Sequence, residues 1–189
     1  MSYNSKELIF SDKGIYFLGN DGFKFYVMMD WEQSIMKHHA DCVCSNGGDI
    51  LEIGFGMGIS AGYIQENNPK SHTIIESHPQ VIPRALDWAK DKDNVTIVQG
   101  DWHDKYSDLS TYDGIFYDAY GDSNMYELQH IIPFLIKKGG IFTWWNINKE
   151  KNSKGFIEFE NIEWQCIEVE ADENDYFNSD VYYMPMKQF

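Results

Sequence analysis

Apolar residues along this chain change period several times, and the changes outline strands alternating with helices. Between Leu8 and Tyr26, β-forming residues flank Gly19-Asn20-Asp21-Gly22, which is the composition of a hairpin turn. From Asp30 the period is helical, with Trp31, Ile35, Met36 and His39 on one face, until Ser45-Asn46-Gly47-Gly48 stops it. Asp49–Ile53 then reads as a strand, Ile59 to Asn67 as a helix and His72–Glu76 as a second strand. Pro79 is expected to open the next helix, through Trp88 and Ala89, with Pro83 awkwardly placed in its early turns. Val95–Val98 and Tyr112–Asp118 read as strands, followed by a helix from Met125 to Ile136 bent at Pro133. A turn at Lys137-Lys138-Gly139-Gly140 and a strand over 141–145 come next. The tail has three strand-like runs, 156–159, 164–169 and 181–184, with an acidic loop from Ala171 to Asp180 before the last.

Strands alternating with helices imply βαβ units. The expected fold is therefore α/β and Rossmann-like, with a mostly parallel central sheet, an antiparallel C-terminal edge, and a short N-terminal hairpin and helix. At 189 residues the chain is read as one domain. Within it, 1–29 form a hairpin and cover, 30–146 the ligand-binding core, and 147–189 the C-terminal strands. Hydrophobic content of 43% and aromatic content of 16% describe a chain able to build a core. No apolar run approaches the roughly 20 residues that span a bilayer, and the first residues lack the basic and apolar regions of a secretory signal. Three cysteines, an odd number, argue against a disulfide framework and for a reduced, cytoplasmic protein. A formal charge of −15 argues against nucleic acid as a partner and is compatible with a cationic substrate.

The most informative stretch is Glu52-Ile53-Gly54-Phe55-Gly56-Met57-Gly58, followed after a second apolar run by Glu76. A strand that stops at a turn without side chains lets backbone N–H groups approach a nucleotide-like ligand, and a carboxylate on the next strand reaches its ribose. The alternate glycines after a glutamate differ from the dinucleotide G-x-G-x-x-G pattern, and point to S-adenosylmethionine in place of NAD. Ligands of such sheets bind beyond the carboxyl ends of the strands, so the later ends matter too. Gly100-Asp101-Trp102 offers a carboxylate for an adenine amino group and an indole for its ring; Asp118 falls where a transferred methyl would sit; Trp144-Trp145-Asn146 closes the series. Each has a plainer explanation alone, Trp102 and Trp144 as core and Glu76 as a helix cap. The histidines at 38, 39, 78, 103 and 130 lack metal-ligand spacing and read as surface or packing residues, so no metal is expected.

On these residues the chain resembles the guanidino-group methyltransferases, namely guanidinoacetate N-methyltransferase and the catalytic domain of protein-arginine δ-N-methyltransferase. The resemblance runs from about Val27 to Asn146 and rests on Val27-Met28-Met29-Asp30-Trp31-Glu32 with Met36, Leu51–Met57, Asn68–Glu76, Gly100-Asp101-Trp102, Phe116–Tyr120 and Lys138-Gly139-Gly140. It implies that Met28 and Met36 pack near S-adenosylmethionine, and that Gly54, Phe55, Gly56, Met57, Gly58, Glu76, Ser77, His78 and Trp102 hold it, with S-adenosylhomocysteine as product; Gly100, Asp101 and Asp118 are expected beside the cofactor from their places at strand ends. It also implies that Glu32 and Asp118 grip a guanidinium, the former orienting it and the latter acting as base. Two carboxylates suit a planar cation with several N–H donors. Because that cation ionises above about 12, its nitrogen needs a base as the C–N bond forms.

The chain departs from the family before Val27 and between Lys149 and Asp180, where it is abbreviated. The expected substrate is a small cationic guanidine such as guanidinoacetate, acted on by a monomer or homodimer. A methyltransferase for another amine, a carboxylate or protein arginine, and a catalytically silent S-adenosylmethionine-binding module, are the alternatives.

Overall fold

The computed structural model describes residues 2–148, 150–152 and 157–189. Its centre is a seven-stranded sheet in the order β6-β5-β4-β7-β8-β10-β9, comprising β4 (Asp49–Ile53), β5 (Ser71–Glu76), β6 (Val95–Gln99), β7 (Tyr112–Tyr117), β8 (Ile136–Trp144), β9 (Glu163–Glu168) and β10 (Val181–Gln188). The strands from β4 to β8 are parallel, while β10 runs antiparallel to both β8 and β9. The chain builds outward from β4 through β5 and β6, then crosses to β7 and β8 on the other side. The switch point lies between β4 and β7, where ligand crevices form in sheets of this kind.

Alternation of side chains along each strand divides the core into two layers. Ile50 and Phe116 face α1 (Gln33–Val43) and α2 (Ile59–Glu66), packing with Met36, Val43 and Ile64. Leu51, Ile53, Ile75, Ile115 and Tyr117 face the other way, onto α4 (Trp102–Lys105) and α5 (Leu128–Leu135). α3 (Ile82–Ala89) packs with Ile74 and Phe55 beneath a separate three-stranded meander of β1 (Ile9–Ser11), β2 (Gly14–Leu18) and β3 (Lys24–Met29). The expected hairpin is thus the second half of this meander.

Local differences from the sequence-based expectation have physical reasons. α3 starts at Ile82, because the residues from Pro79 form a turn on the His78 carbonyl, which accepts from the N–H groups of Val81 and Ile82. Pro83 consequently sits in the first turn, where its missing N–H forfeits no helical bond. Lys137–Gly140 is no free turn but an irregularity inside β8: Tyr112 pairs with Ile136 and Gly114 with Ile141. The C-terminal Phe189 captures it, donating to the Gly140 carbonyl at 3.0 Å. Of the expected strand over 156–159, Phe156 lies outside the described residues and 157–159 form no strand; Ile157 and Phe159 instead pack onto the α5-side core.

One polar cluster sits within this core. His39 of α1 is fully buried, and burial pushes its imidazole down to about 3. The Thr143 hydroxyl donates to the Pro185 carbonyl, so His39 Nδ1–H donates to Thr143 Oγ1 at 2.8 Å. Nε2 is left to accept from the Tyr182 hydroxyl at 2.9 Å. The cluster joins α1, β8 and β10.

Candidate functional site

The final rungs of the parallel ladder bring the strand ends together. Gly54 N–H donates to Ile75 O at 2.9 Å, Asp118 N–H to Ile53 O at 2.8 Å and Trp145 N–H to Tyr117 O at 2.9 Å. Beyond these rungs two cavities open side by side, of about 150 and 320 Å3. They share Val27 and the Asp118–Asp122 segment as a common wall.

The smaller cavity is bounded by Gly54, Gly56, Glu76, Ser77, Gly100–Trp102 and Met28. Its glycines answer to geometry. Gly54 has φ +99°, and a Cβ there would lie 2.1 Å from the Asp118 carbonyl oxygen; Gly56 has φ +53°, and a Cβ would meet Met28 Sδ at 2.7 Å. Most amides of the loop are already engaged. Phe55 N–H donates to Glu76 Oε2 at 2.9 Å, Met57 N–H to Met28 Sδ at 3.3 Å and Gly58 N–H to Phe55 O at 2.8 Å. Gly56 N–H alone in the loop has no partner among the described residues, and Gly56 lines the cavity. The buried Glu76 also accepts from His78 N–H, at 2.7 Å, and so fastens the glycine loop to the end of β5.

Asp101 caps α4, accepting from His103 N–H at 3.0 Å. Trp102 is 3% exposed and its indole N–H donates to Asp122 Oδ2 at 2.7 Å. Asp122 also accepts from the Tyr117 hydroxyl and, through Oδ1, from Asn124 N–H at 2.7 Å. That carboxylate latches the shared wall to β7 and α4. Five of the residues expected to hold a cofactor do not line the cavity. Met36 packs behind Met28 in the core, the Phe55 ring sits against Trp88, Met57 and Gly58 turn into α2, and His78 is buried. His78 Nε2–H donates to the Lys6 carbonyl at 3.1 Å, which fastens the N-terminal segment over the site.

The larger cavity carries Glu32 and Asp118, with Trp144, Trp145, Asn146 and Tyr176 around them. Glu32 ends a short helical turn after β3 and is 3% exposed. Burial, with the nearby Asp118 anion adding to it, pushes the Glu32 carboxyl up to about 8. Burial, followed by Glu52 and Glu76, pushes Asp118 up to about 7. Three buried acids thus surround Asp118, and a cation entering the cavity relieves their repulsion.

Pattern reading missed three features. Tyr3 and Asn4 line the smaller cavity from the N-terminus, Tyr3 against Tyr120 with ring centres 5.1 Å apart and Asn4 accepting from Ser77 at 3.1 Å. Asp122 was concealed in a run of loop residues, although its place four residues after Asp118 puts it within reach of the same site. Tyr176 lies in the acidic loop, where no periodicity marks it.

The donor set suits S-adenosylmethionine. Glu76 and Asp101 offer acceptors for ribose and adenine donors, Gly56 offers a free N–H, and Met28, Val27 and Ile53 are apolar. Among the described residues lining this cavity there is no Lys or Arg to meet a pyrophosphate. Removing the Glu76 carboxylate as Glu76→Ala is expected to weaken cofactor binding about tenfold or more, since it loses a ligand acceptor and strands two loop N–H groups. Calorimetric titration checks this; unchanged affinity would take Glu76 out of the ligand shell.

The family model described as guanidinoacetate N-methyltransferase matches residues 11–152. Protein arginine N-methyltransferase 2 of Candida glabrata is 38% identical over 136 residues, 64% of this chain and 32% of that protein. The protein of the same name from Yarrowia lipolytica is 31% identical over 202 aligned positions, covering 91% of this chain and 41% of that protein. The chain therefore spans well under half the length of these curated relatives. Among solved structures, spermidine synthase from Thermotoga maritima covers 96% of this chain and 72% of its own, with a TM-score of 0.67 at 13% identity. Aeropyrum pernix fibrillarin, solved with natively bound S-adenosyl-L-methionine, covers 96% and 99%, with a TM-score of 0.57 at 15% identity. The structural likenesses establish the Rossmann-like methyltransferase fold, and the sequence match goes further: the chain belongs to the guanidinoacetate N-methyltransferase family.

Proposed function

We propose that this chain transfers a methyl group from S-adenosylmethionine to a guanidino nitrogen. The observation that carries the reading is the shared wall: Asp118 borders both the cavity suited to the cofactor and the cavity that holds Glu32. S-adenosylmethionine supplies an activated methyl on a sulfonium. Glu32 and Asp118 bind the guanidinium by charge-assisted hydrogen bonds and orient one nitrogen toward the shared wall. Asp118, at that wall, accepts the proton the nitrogen gives up as it is alkylated. Tyr117, Trp144 and Trp145 supply an apolar surround that strengthens these contacts by excluding water.

The substrate is read as a small guanidine such as guanidinoacetate. A second reading, arginine in a protein, is favoured by the names of the relatives, which are protein arginine N-methyltransferases. No described helix is long and apolar enough to cross a membrane, and the three cysteines are unpaired; a cytoplasmic setting is part of the proposal. The test is transfer of labelled methyl to guanidinoacetate, free arginine, alkylguanidines, an arginine peptide and simple amines. Label on a guanidine supports the proposal and names its source. Label on amines alone, or on none with cofactor binding intact, refutes it.

A pH dependence follows. The substrate stays cationic throughout the working range, so only the carboxylates titrate. Since they ionise near 7 and 8 in the free protein, kcat/KM for the guanidine is expected to rise with pH through that interval. A profile flat from pH 6 to 9 would contradict it.

A further inference from the structure

Glu32 is held by groups that are remote from one another in the chain. Met29 N–H donates to its Oε1 at 2.7 Å, and the Tyr176 hydroxyl, 144 residues away, donates to the same oxygen at 2.5 Å. Oε2 accepts no hydrogen bond from the described residues. Tyr176 is itself set in a braced segment between β9 and β10. Asp172 pairs with Lys13 at 3.2 Å, and Asp175 accepts from Tyr26 N–H at 3.0 Å. Asn174 accepts from the N–H groups of Tyr176 and Phe177 at 3.0 and 2.5 Å. The rings of Tyr176 and Phe177 stack on Trp31, with centres 6.0 and 5.5 Å away. The hydroxyl is thus delivered by a fixed frame that joins the N-terminal meander to the C-terminal strands.

We propose that Tyr176 is a positioning residue for the substrate: by occupying Oε1 it fixes the Glu32 carboxylate and leaves Oε2 as the acceptor for a guanidinium N–H. The 172–177 segment is then the part of the chain that sets how tightly the cation is gripped. This rests on the reading of Glu32 as a guanidinium-binding carboxylate. The titratable groups facing Glu32 are Asp118 from the end of β7, Tyr176 from the segment and Tyr182 from β10. Asp118 disfavours the Glu32 anion, and the Tyr176 hydroxyl is the side-chain donor that counters it. Without that donor, Glu32 holds its proton to higher pH and loses its grip on a cation near neutrality.

Tyr176→Phe tests this, because it keeps the ring on Trp31 and removes only the hydroxyl. The expected result at pH 7 is a fall of about tenfold in kcat/KM for the guanidine, carried mainly by KM, from loss of one hydrogen bond to a charged group. Cofactor affinity should stay within about twofold, since Tyr176 lines only the larger cavity. The acidic limb of kcat/KM should move up by roughly one pH unit, as should the carbon-13 titration of the Glu32 carboxyl in the free protein. An unmoved limb and titration overturn the proposal even if turnover drops, because a merely structural defect lowers activity without shifting either. If the unsubstituted protein methylates no guanidine but the Glu32 titration still moves in Tyr176→Phe, the functional reading fails while control of Glu32 by Tyr176 stands. An unmoved titration in that case overturns both.

Discussion

Asp118→Asn is expected to remove nearly all methyl transfer while leaving the fold and cofactor affinity close to those of the unsubstituted protein. The loss should be about 10²–10⁴-fold, the range for removing a general base. The substitution is informative because little else depends on this carboxylate. The Asp118 side chain accepts no hydrogen bond from the described residues, and its backbone N–H bond to Ile53 O, at 2.8 Å, survives any side-chain change. Single-turnover transfer of labelled methyl, paired with calorimetric titration of the cofactor, separates the two effects. Unimpaired transfer would assign proton removal to another group.

Glu32→Gln should raise thermal stability above neutral pH and weaken guanidine binding at the same time. The Glu32 carboxyl ionises near 8 when folded and near 4.3 in an unfolded chain. Between those values the native state holds a proton that the unfolded state has released, so stability falls as pH rises through the window. The penalty is absent below about pH 4 and complete above about pH 8. Gln removes it and adds a smaller cost for a buried amide, for a net gain of roughly 2 kcal/mol at pH 8.5, or about 4–8 °C in Tm. The Tm of the variant relative to the unsubstituted protein should rise between pH 5, where the amide cost dominates, and pH 8.5, where the relieved penalty does; an equal or lower Tm at pH 8.5 would contradict the assignment. Guanidine kcat/KM should fall by about 10- to 100-fold from the lost charged hydrogen bond. His39 acts with the opposite sign. Its folded value near 3 lies below the unfolded one, so its contribution is present at neutral pH and is lost as pH falls.

Much of this architecture was legible in the chain because the βαβ units carry strong periodic signals. β4 spans Asp49–Ile53 as expected, and β5, β6 and β7 differ from expectation only at their ends. The signals failed where tertiary partners override local preference. Lys137–Gly140 has turn composition, yet Phe189 from the far end of the chain pairs with it inside β8. At the candidate site, Glu76, Trp102 and Asp118 could be picked out because each stands at or just after a strand end, and Glu32 only through the family resemblance. Tyr176 could not, since its role comes from a contact across 144 residues and its surroundings look like a solvated acidic loop. Met36 and His78 show the converse: residues adjacent to the site in sequence pattern whose side chains turn into the core or toward the N-terminus.

The two cavities also differ in when the growing chain can complete them. Every residue that lines the smaller one lies between positions 2 and 124. The larger one needs Asn146 and Asn148 and then Tyr176, which is fixed only after β9 and β10 have paired at the far edge of the sheet. Both close over long separations, but the larger one spans more of the chain, since it brings Tyr176 to Glu32 across 144 residues and so carries the greater loop-closure entropy. During synthesis, the residues that line the smaller cavity therefore emerge before those that complete the larger one.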